Sequence, residues 1–356
     1  SGQVLLAQNA DVPLPPASGS KLMTLLMAFE ALRDGRLNLE TRIGVSEHAM
    51  SFGGSTMFLN TTDRPTVEDL IRGIIIVSGN DASVALAEAL SPDGTEAGFA
   101  RIATERARAL GMASTTIVNS SGWPAPGHVM SMRDLGILAE EIITAHPEYY
   151  RYFVETEFDY ENRAPANRFN RNPLLGLGIG ADGLKTGHTQ EAGFGLVGSA
   201  VQGSRRVTFV ITGLPSAEAR ARESERILNW AFRQFVERQV VTQGTEVARV
   251  PVFMGTGPDV AIAPARDLSL LVPVVGEAPL HAEMTYISPV IAPVAIGDTL
   301  GEMVVRLGEG DDLIEHRIAL LATQDVPEGG IVVRLSTVMR AVMEDVFGPT
   351  PTPAGG

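Results

Sequence analysis

The sequence contains no cysteine, which excludes thiol nucleophiles, disulfide scaffolds and thiolate metal sites. It also lacks any run of 18 apolar residues, so no segment is predicted to cross a bilayer as a helix. The six histidines form neither an HExxH motif nor an i, i+4 pair, and we predict no metal site and no cofactor. Basic residues number 28 against 42 acidic ones, a formal charge of -14. This balance argues against a nucleic-acid partner, because phosphate binding needs a basic surface.

The chain has 356 residues, of which 44% are hydrophobic and 20% charged. This length and composition predict a globular protein of about two domains. The chain opens in a strand-like run over 4–7 with no signal-peptide pattern, and we expect a removed leader ahead of it. Residues 1–238 are predicted to mix helices with an antiparallel sheet built from both chain ends. Strands are predicted over 4–7, 194–200 and 206–213, and helices over 18–33 (with Ser18 as N-cap), 66–78, 81–89, 97–110, 132–145 and 223–236.

Beyond residue 240 the pattern changes to short β-rich runs separated by Gly and Pro. We predict a small all-β sandwich over 239–328, then an amphipathic helix over 329–348 and a flexible tail over 349–356. The β-rich runs cover 245–252, 268–274, 282–287, 299–307 and 315–322.

The first chemical motif is the pair Ser18 and Lys21, three positions apart at the start of an apolar helix. That spacing places both side chains on one helix face. A serine hydroxyl needs a neighbouring base to become a nucleophile, and a buried lysine with a lowered pKa can be that base. Alone, the motif equally fits a capped helix with a surface lysine.

The second motif is Ser78-Gly79-Asn80, at the end of a strongly apolar helix. Here a serine can relay a proton, and an asparagine can hold both the lysine and a substrate amide. Alone, the motif also fits an ordinary helix end with Gly79 in the left-handed conformation.

The third motif is Lys185-Thr186-Gly187, followed by His188. A strand with these residues offers a positive charge and a hydroxyl to a substrate carboxylate, and Gly187 leaves room for substrate backbone. Alone, it also fits a polar turn before a hairpin. Together the three motifs supply what is needed to attack a peptide bond near a C-terminal carboxylate. A serine–lysine pair, a polar clamp and this strand are typical of penicillin-binding proteins and class A β-lactamases.

Wider stretches resemble the low-molecular-mass D-alanyl-D-alanine carboxypeptidases, the penicillin-binding protein 5 group. The likeness covers nearly all of 3–238 and continues more loosely beyond. It implies an α+β chain: a β-lactamase/transpeptidase-like catalytic domain, an all-β sandwich domain and a C-terminal amphipathic helix. The matching stretches are 16–18, 21–24, 73–76, 78–82, 111–112, 126–128, 133–135 and 185–189.

The resemblance also implies roles in cutting a peptidoglycan stem peptide. Ser18 is acylated by the penultimate D-alanine carbonyl, with Lys21 as its base. Ser78 and Asn80 form the opposite wall. The resemblance also assigns substrate contacts to the strand side of the cleft and to one arginine beyond it. These residues are Lys185, Thr186, Gly187, His188 and Arg220, with Arg222 as the alternative arginine.

By the same resemblance, the oxyanion hole consists of the backbone N–H groups of Ser18 and His188, and β-lactams acylate Ser18. Gly19 and Ser20 depart from the family, which has a larger residue and a threonine there. The location implied is periplasmic or extracytoplasmic. The C-terminal helix resembles the family's membrane-surface anchor, but its stripe equally fits a helix docked on the β domain or an oligomer contact.

Three other functions compete with the carboxypeptidase. A class A β-lactamase needs a glutamate in a Glu-x-x-Leu-Asn pattern, which is absent from 83–184, and it has no use for a sandwich domain. A non-catalytic wall-peptide-binding protein does not need the complete serine–lysine machinery. A DD-endopeptidase uses the same chemistry, so the sequence leaves this alternative open.

Overall fold

The computed structural model describes residues 2–163, 165–275, 279–308, 313–330 and 339. The described residues form two compact units, one within 5–232 and one that combines residues 2–4 with the described residues from 233 onward. The boundary predicted between 238 and 239 falls inside a strand of the second unit, Phe235–Val241. Most of the predicted C-terminal helix and the whole tail lie outside the described residues. No helix in the described ranges combines the length and hydropathy that a membrane span requires.

The first unit is mainly helical, and its core surrounds a central helix that is apolar on nearly every side. A helix without a polar stripe belongs in a core, and Leu22, Leu25 and Phe29 of this helix are fully buried. The helices are α1 (Lys21–Arg33), α2 (Glu47–Met50), α3 (Val67–Arg72), α4 (Asn80–Leu90), α5 (Glu96–Ala109), α6 (Met132–Ala145), α7 (Pro147–Tyr150) and α8 (Ala217–Gln234), whose last two residues belong to the second unit.

Two helix starts differ from the prediction. Ser18 is not an N-cap, because a 3-10 turn (Ala17–Ser20) precedes α1 and no side chain caps it. Helix α8, predicted to start at 223, starts at Ala217. The predicted helix over 66–78 is α3, capped reciprocally by Thr66 and Asp69, followed by a wider π turn (Gly73–Val77). Such turns occur frequently at functional sites.

A three-stranded antiparallel sheet completes the first unit, with strands β1 (Ala181–Thr189), β2 (Gly193–Gln202) and β3 (Arg205–Leu214) in that order. Its two faces contact different apolar layers, since side chains alternate along a strand. Val197 packs in the helical core, whereas Leu196 packs with Leu228 of α8. The predicted strand over 4–7 is wrong. This segment joins no ladder, and Leu5 contacts the layer under α8 through its side chain only.

The described residues between 235 and 328 form strands and loops without a helix, as predicted, and their two sheets share one apolar core. The strands are β4 (Phe235–Val241), β5 (Ala248–Phe253), β6 (Asp259–Pro264), β7 (Leu268–Pro273), β8 (Leu280–Tyr286), β9 (Val290–Ile291), β10 (Thr299–Leu307) and β11 (Ile314–Ala322). The six-stranded sheet has the order β8-β10-β11-β6-β5-β9, and β4 pairs with β7. Three strands were not predicted: β4, whose first two residues fall in the predicted helix over 223–236, the alanine-containing β6 and the two-residue β9.

Candidate active site

The start of α1 brings a serine and a fully buried lysine together. Lys21 Nζ donates hydrogen bonds to Ser18 Oγ at 3.1 Å, to Asn80 Oδ1 at 2.7 Å and to the Ser121 carbonyl at 2.5 Å. All three ammonium donors are therefore used. The i, i+3 spacing predicted the first contact. The other two fix the lysine head group from the opposite wall.

The environment of Lys21 favours its neutral form. Burial, followed by the positive charge of Arg171, lowers the pKa of Lys21 to about 7, while Asp81 and Glu96 oppose this shift. A lysine with such a pKa is partly deprotonated near neutral pH. It then carries a lone pair within hydrogen-bond reach of a hydroxyl, which is what a general base requires.

The second motif occupies an irregular piece of backbone. Ser78, not Gly79, has the left-handed conformation, with φ 60° and ψ 37°. This conformation is costly for a residue with a side chain and is found preferentially at functional sites. It brings Ser78 Oγ within 2.9 Å of Lys185 Nζ. Asn80 begins α4 and also donates to the Gly53 carbonyl at 2.8 Å.

The third motif lies on β1, where Lys185 and Thr186 are buried. Burial, followed by the charges of Arg171 and Lys21, holds the pKa of Lys185 well below its usual value. The structure adds a second reason for glycine at 187, beside the predicted space for substrate backbone. A Cβ there would lie 3.2 Å from Ala17 Cβ and 3.4 Å from Ser18 N. The glycine therefore lets β1 approach the serine turn closely.

The remaining predicted residues meet around one aromatic ring. Phe194 is paired with His188 across β1 and β2, and their ring centroids lie 3.9 Å apart. The guanidinium of Arg220 lies 5.9 Å from the Phe194 centroid, and it donates to the Arg171 carbonyl at 3.3 Å. Arg220 is only 8% exposed, so its charge is held beside the cleft with little solvent.

Two residues of the site were not predicted. Arg171 donates to the Val77 carbonyl at 2.8 Å and to Ser55 Oγ at 3.0 Å, and its charge acts on both lysines. Ser121 lies in a loop pressed against the serine turn, because a Cβ at Gly122 would lie 1.8 Å from the Ala17 carbonyl oxygen. Both residues lie on irregular segments, where no periodicity or motif signals them.

Comparison with known proteins identifies the family of the chain. The family model described as D-alanyl-D-alanine carboxypeptidase matches residues 1–216, and the model described as penicillin-binding protein 5, C-terminal domain, matches 235–328. D-alanyl-D-alanine carboxypeptidase DacF of Bacillus subtilis is 33% identical, over 95% of this chain and 86% of that protein.

Solved structures show the same fold. Penicillin-binding protein 5 from Haemophilus influenzae superposes with a TM-score of 0.77 at 32% identity, over 92% of this chain and 95% of that one. Penicillin-binding protein D2 from Listeria monocytogenes, solved in the ampicillin-bound form, superposes with a TM-score of 0.59 at 31% identity, over 65% of this chain and 93% of that one.

Proposed function

The chain belongs to the D-alanyl-D-alanine carboxypeptidase family of serine hydrolases, and we propose that it removes the terminal D-alanine from peptidoglycan stem pentapeptides with Ser18 as nucleophile. Neither alternative, the endopeptidase that the sequence left open nor the non-catalytic wall-peptide-binding protein, gains support from the comparisons.

One observation carries the proposal at the level of residues. Lys185, Arg171 and Arg220 are three basic side chains that lie close enough to act on one another, and within the described residues none of them forms an ion pair with a carboxylate. A buried cation without an anion is unfavourable, so the cluster is suited to a ligand that supplies one. The free carboxylate of a C-terminal D-alanine has this charge, one residue beyond the bond to be cut.

The reaction follows from these contacts. Neutral Lys21 accepts the Ser18 proton as Oγ bonds to the penultimate D-alanine carbonyl carbon, and the oxyanion is stabilised by the N–H groups of Ser18 and His188. The C–N bond then breaks as the leaving amine takes the proton from protonated Lys21, and D-alanine departs. Ser78 Oγ, which accepts from Lys185 Nζ at 2.9 Å, lines the opposite wall. Water adds to the ester, its proton returns through the lysine, and the C–O bond to Ser18 breaks. Asn80 holds the Lys21 head group and the substrate amide.

A β-lactam is expected to enter the same sequence of steps. Its carboxylate occupies the cationic cluster, Ser18 Oγ bonds to the lactam carbonyl carbon, and the ring C–N bond opens with the proton passing to nitrogen. The leaving group stays attached to the acyl group, so it blocks the approach of water. We therefore expect a long-lived acyl-enzyme on Ser18.

The experiment is D-alanine release from a short peptide that ends in D-alanyl-D-alanine, measured for the native chain and for Ser18→Ala. Ser20→Ala is the matched control, because Ser20 is a buried serine two residues away whose Oγ has no hydrogen-bond partner among the residues that the structure describes. We expect release to vanish only in Ser18→Ala. A folded native chain that cuts crosslinked peptides but releases no D-alanine would instead establish the endopeptidase.

The substrate places the enzyme outside the cytoplasm, and attachment to the outer face of the cytoplasmic membrane rests on the sequence alone. The apolar stripe of residues 331–347, with Leu335, Val342 and Phe347, supports a helix lying on a bilayer surface. Co-sedimentation with vesicles of anionic lipid, compared between the full chain and a chain ending at Gly330, tests this. Equal sedimentation of both would rule out the anchor.

A further inference from the structure

Three side chains with metal-binding atoms meet away from the proposed active site. Glu30 lies on α1, Glu141 on α6, and His146 at the junction of α6 and α7. One potential ligand atom from each residue lies within 4.8 Å of the other two. Glu30 is nine residues after Lys21, about 14 Å along the helix axis, so this cluster is separate from the catalytic lysine.

His146 is the unusual member of the cluster. Its side chain is fully buried, and neither ring nitrogen has a hydrogen-bond partner within the described residues. Its ring instead contacts Phe29, with the centroids 6.1 Å apart. Buried polar atoms are nearly always satisfied, so two unsatisfied nitrogens beside two carboxylates indicate a missing partner.

Arg106 on α5 now balances the two carboxylates. Its Nη2 lies 2.7 Å from Glu30 Oε1 and 3.2 Å from Glu141 Oε1. Both contacts use Oε1, and no described hydrogen bond uses Oε2 of either glutamate. The Arg106 side chain is 31% exposed, so it can move towards solvent. The negative charge of the two glutamates therefore favours a bound cation, and a metal ion can replace the Arg106 guanidinium in that role.

We propose that Glu30, Glu141 and His146 bind a divalent metal ion of the zinc class, which joins α1 to α6. One imidazole nitrogen and two carboxylate oxygens are ligands that zinc accepts, at about 2.0–2.2 Å. In the tetrahedral geometry of zinc, two ligand atoms lie about 3.4 Å apart at those lengths, so the cluster closes by side-chain movements of about 1 Å. A fourth ligand is water, from the side of the partly exposed Glu141. The sequence could not predict this site, because its residues come from separate helices without a zinc-motif spacing.

The test is isothermal titration of the full, chelator-treated chain with zinc chloride. We expect one ion per chain in the native protein, and binding at least about tenfold weaker in Glu141→Gln, since each ligand contributes strongly. Glu141 is partly exposed, so this variant keeps its fold. His146→Asn is the second ligand variant, and His48→Gln is the matched control, because His48 also contacts a glutamate, Glu96, at 2.9 Å.

Arg106→Gln separates a metal site from a simple ion-pair cluster. If the guanidinium competes with the ion, this variant binds zinc more tightly than the native chain, and zinc raises its Tm further. A native chain and an Arg106→Gln variant that both fail to bind zinc would overturn the proposal. Binding that persists unchanged in Glu141→Gln and His146→Asn would overturn it as well, by placing the ion elsewhere.

Discussion

Replacing Arg171 with glutamine is predicted to move the pH dependence of Ser18 acylation to higher pH. After burial, the charge of Arg171 is the next cause of the low pKa of Lys21, which is about 7. Glutamine removes the charge and keeps a donor for the Val77 carbonyl, which Arg171 reaches at 2.8 Å. The pKa of Lys21 should therefore rise, and less of the lysine should be neutral at pH 7.

The size of the effect follows from the protonation equilibrium. At pH 7 a lysine with a pKa of about 7 is about half neutral. A rise of about one pKa unit, or about 1.4 kcal/mol, leaves about one tenth neutral, so acylation at pH 7 slows about fivefold. At about pH 10 the lysine is deprotonated in both proteins, and this difference disappears.

The assay is the second-order rate of acylation by a fluorescent penicillin across this pH range. Arg168→Gln is the matched control on the same loop, because Arg168 is paired with Glu157 at 3.0 Å and does not act on Lys21. Arg171 also belongs to the cationic cluster, so its loss weakens carboxylate binding at every pH. A uniformly slower rate with an unchanged midpoint would therefore refute the link between Arg171 and the Lys21 pKa.

Three further predictions use other contacts. His128 is 3% exposed, and burial lowers its pKa from 6.5 to about 4. As pH falls, His128 is therefore protonated in the unfolded state before it is protonated in the folded state, and about 3 kcal/mol of stability is lost between pH 6.5 and 4. Over this range the Tm of His128→Gln should fall less than that of the native chain, and an equal fall would contradict this. Phe194→Leu should lower kcat/KM about 2- to 12-fold, because ring contacts of about 0.5–1.5 kcal/mol hold His188 and its oxyanion N–H in place, and Phe194→Tyr should restore kcat/KM; an unchanged kcat/KM in Phe194→Leu would contradict it. Asp81 accepts hydrogen bonds from three backbone N–H groups, so Asp81→Asn should lower the free energy of unfolding in urea by about 2 kcal/mol, and an unchanged value would show that the amide replaces these contacts.

The sequence predicted the parts of the site whose residues are close together along the chain, and it did not predict the parts whose residues are far apart along it. The Ser18–Lys21 contact follows from helix spacing, and the predicted all-β second unit follows from strand-like runs. Arg171 lies far from every motif, yet its charge affects both lysines. Charge acts through space rather than along the chain, so a single sequence contains no periodicity that reveals such a residue.

The local rules that failed near the site failed for a common physical reason. Ser18 has the type of an N-cap, and Gly79 the type of a left-handed helix end, but neither has that role. The unfavourable conformations belong instead to Ala17, with φ 49°, and Ser78, with φ 60°. Each costs on the order of 1–3 kcal/mol and each positions a hydroxyl beside a buried lysine. Where a helix end uses a serine although a glycine is adjacent, the backbone is arranged for the side chain that it presents, and the departure from the capping rules points to the site.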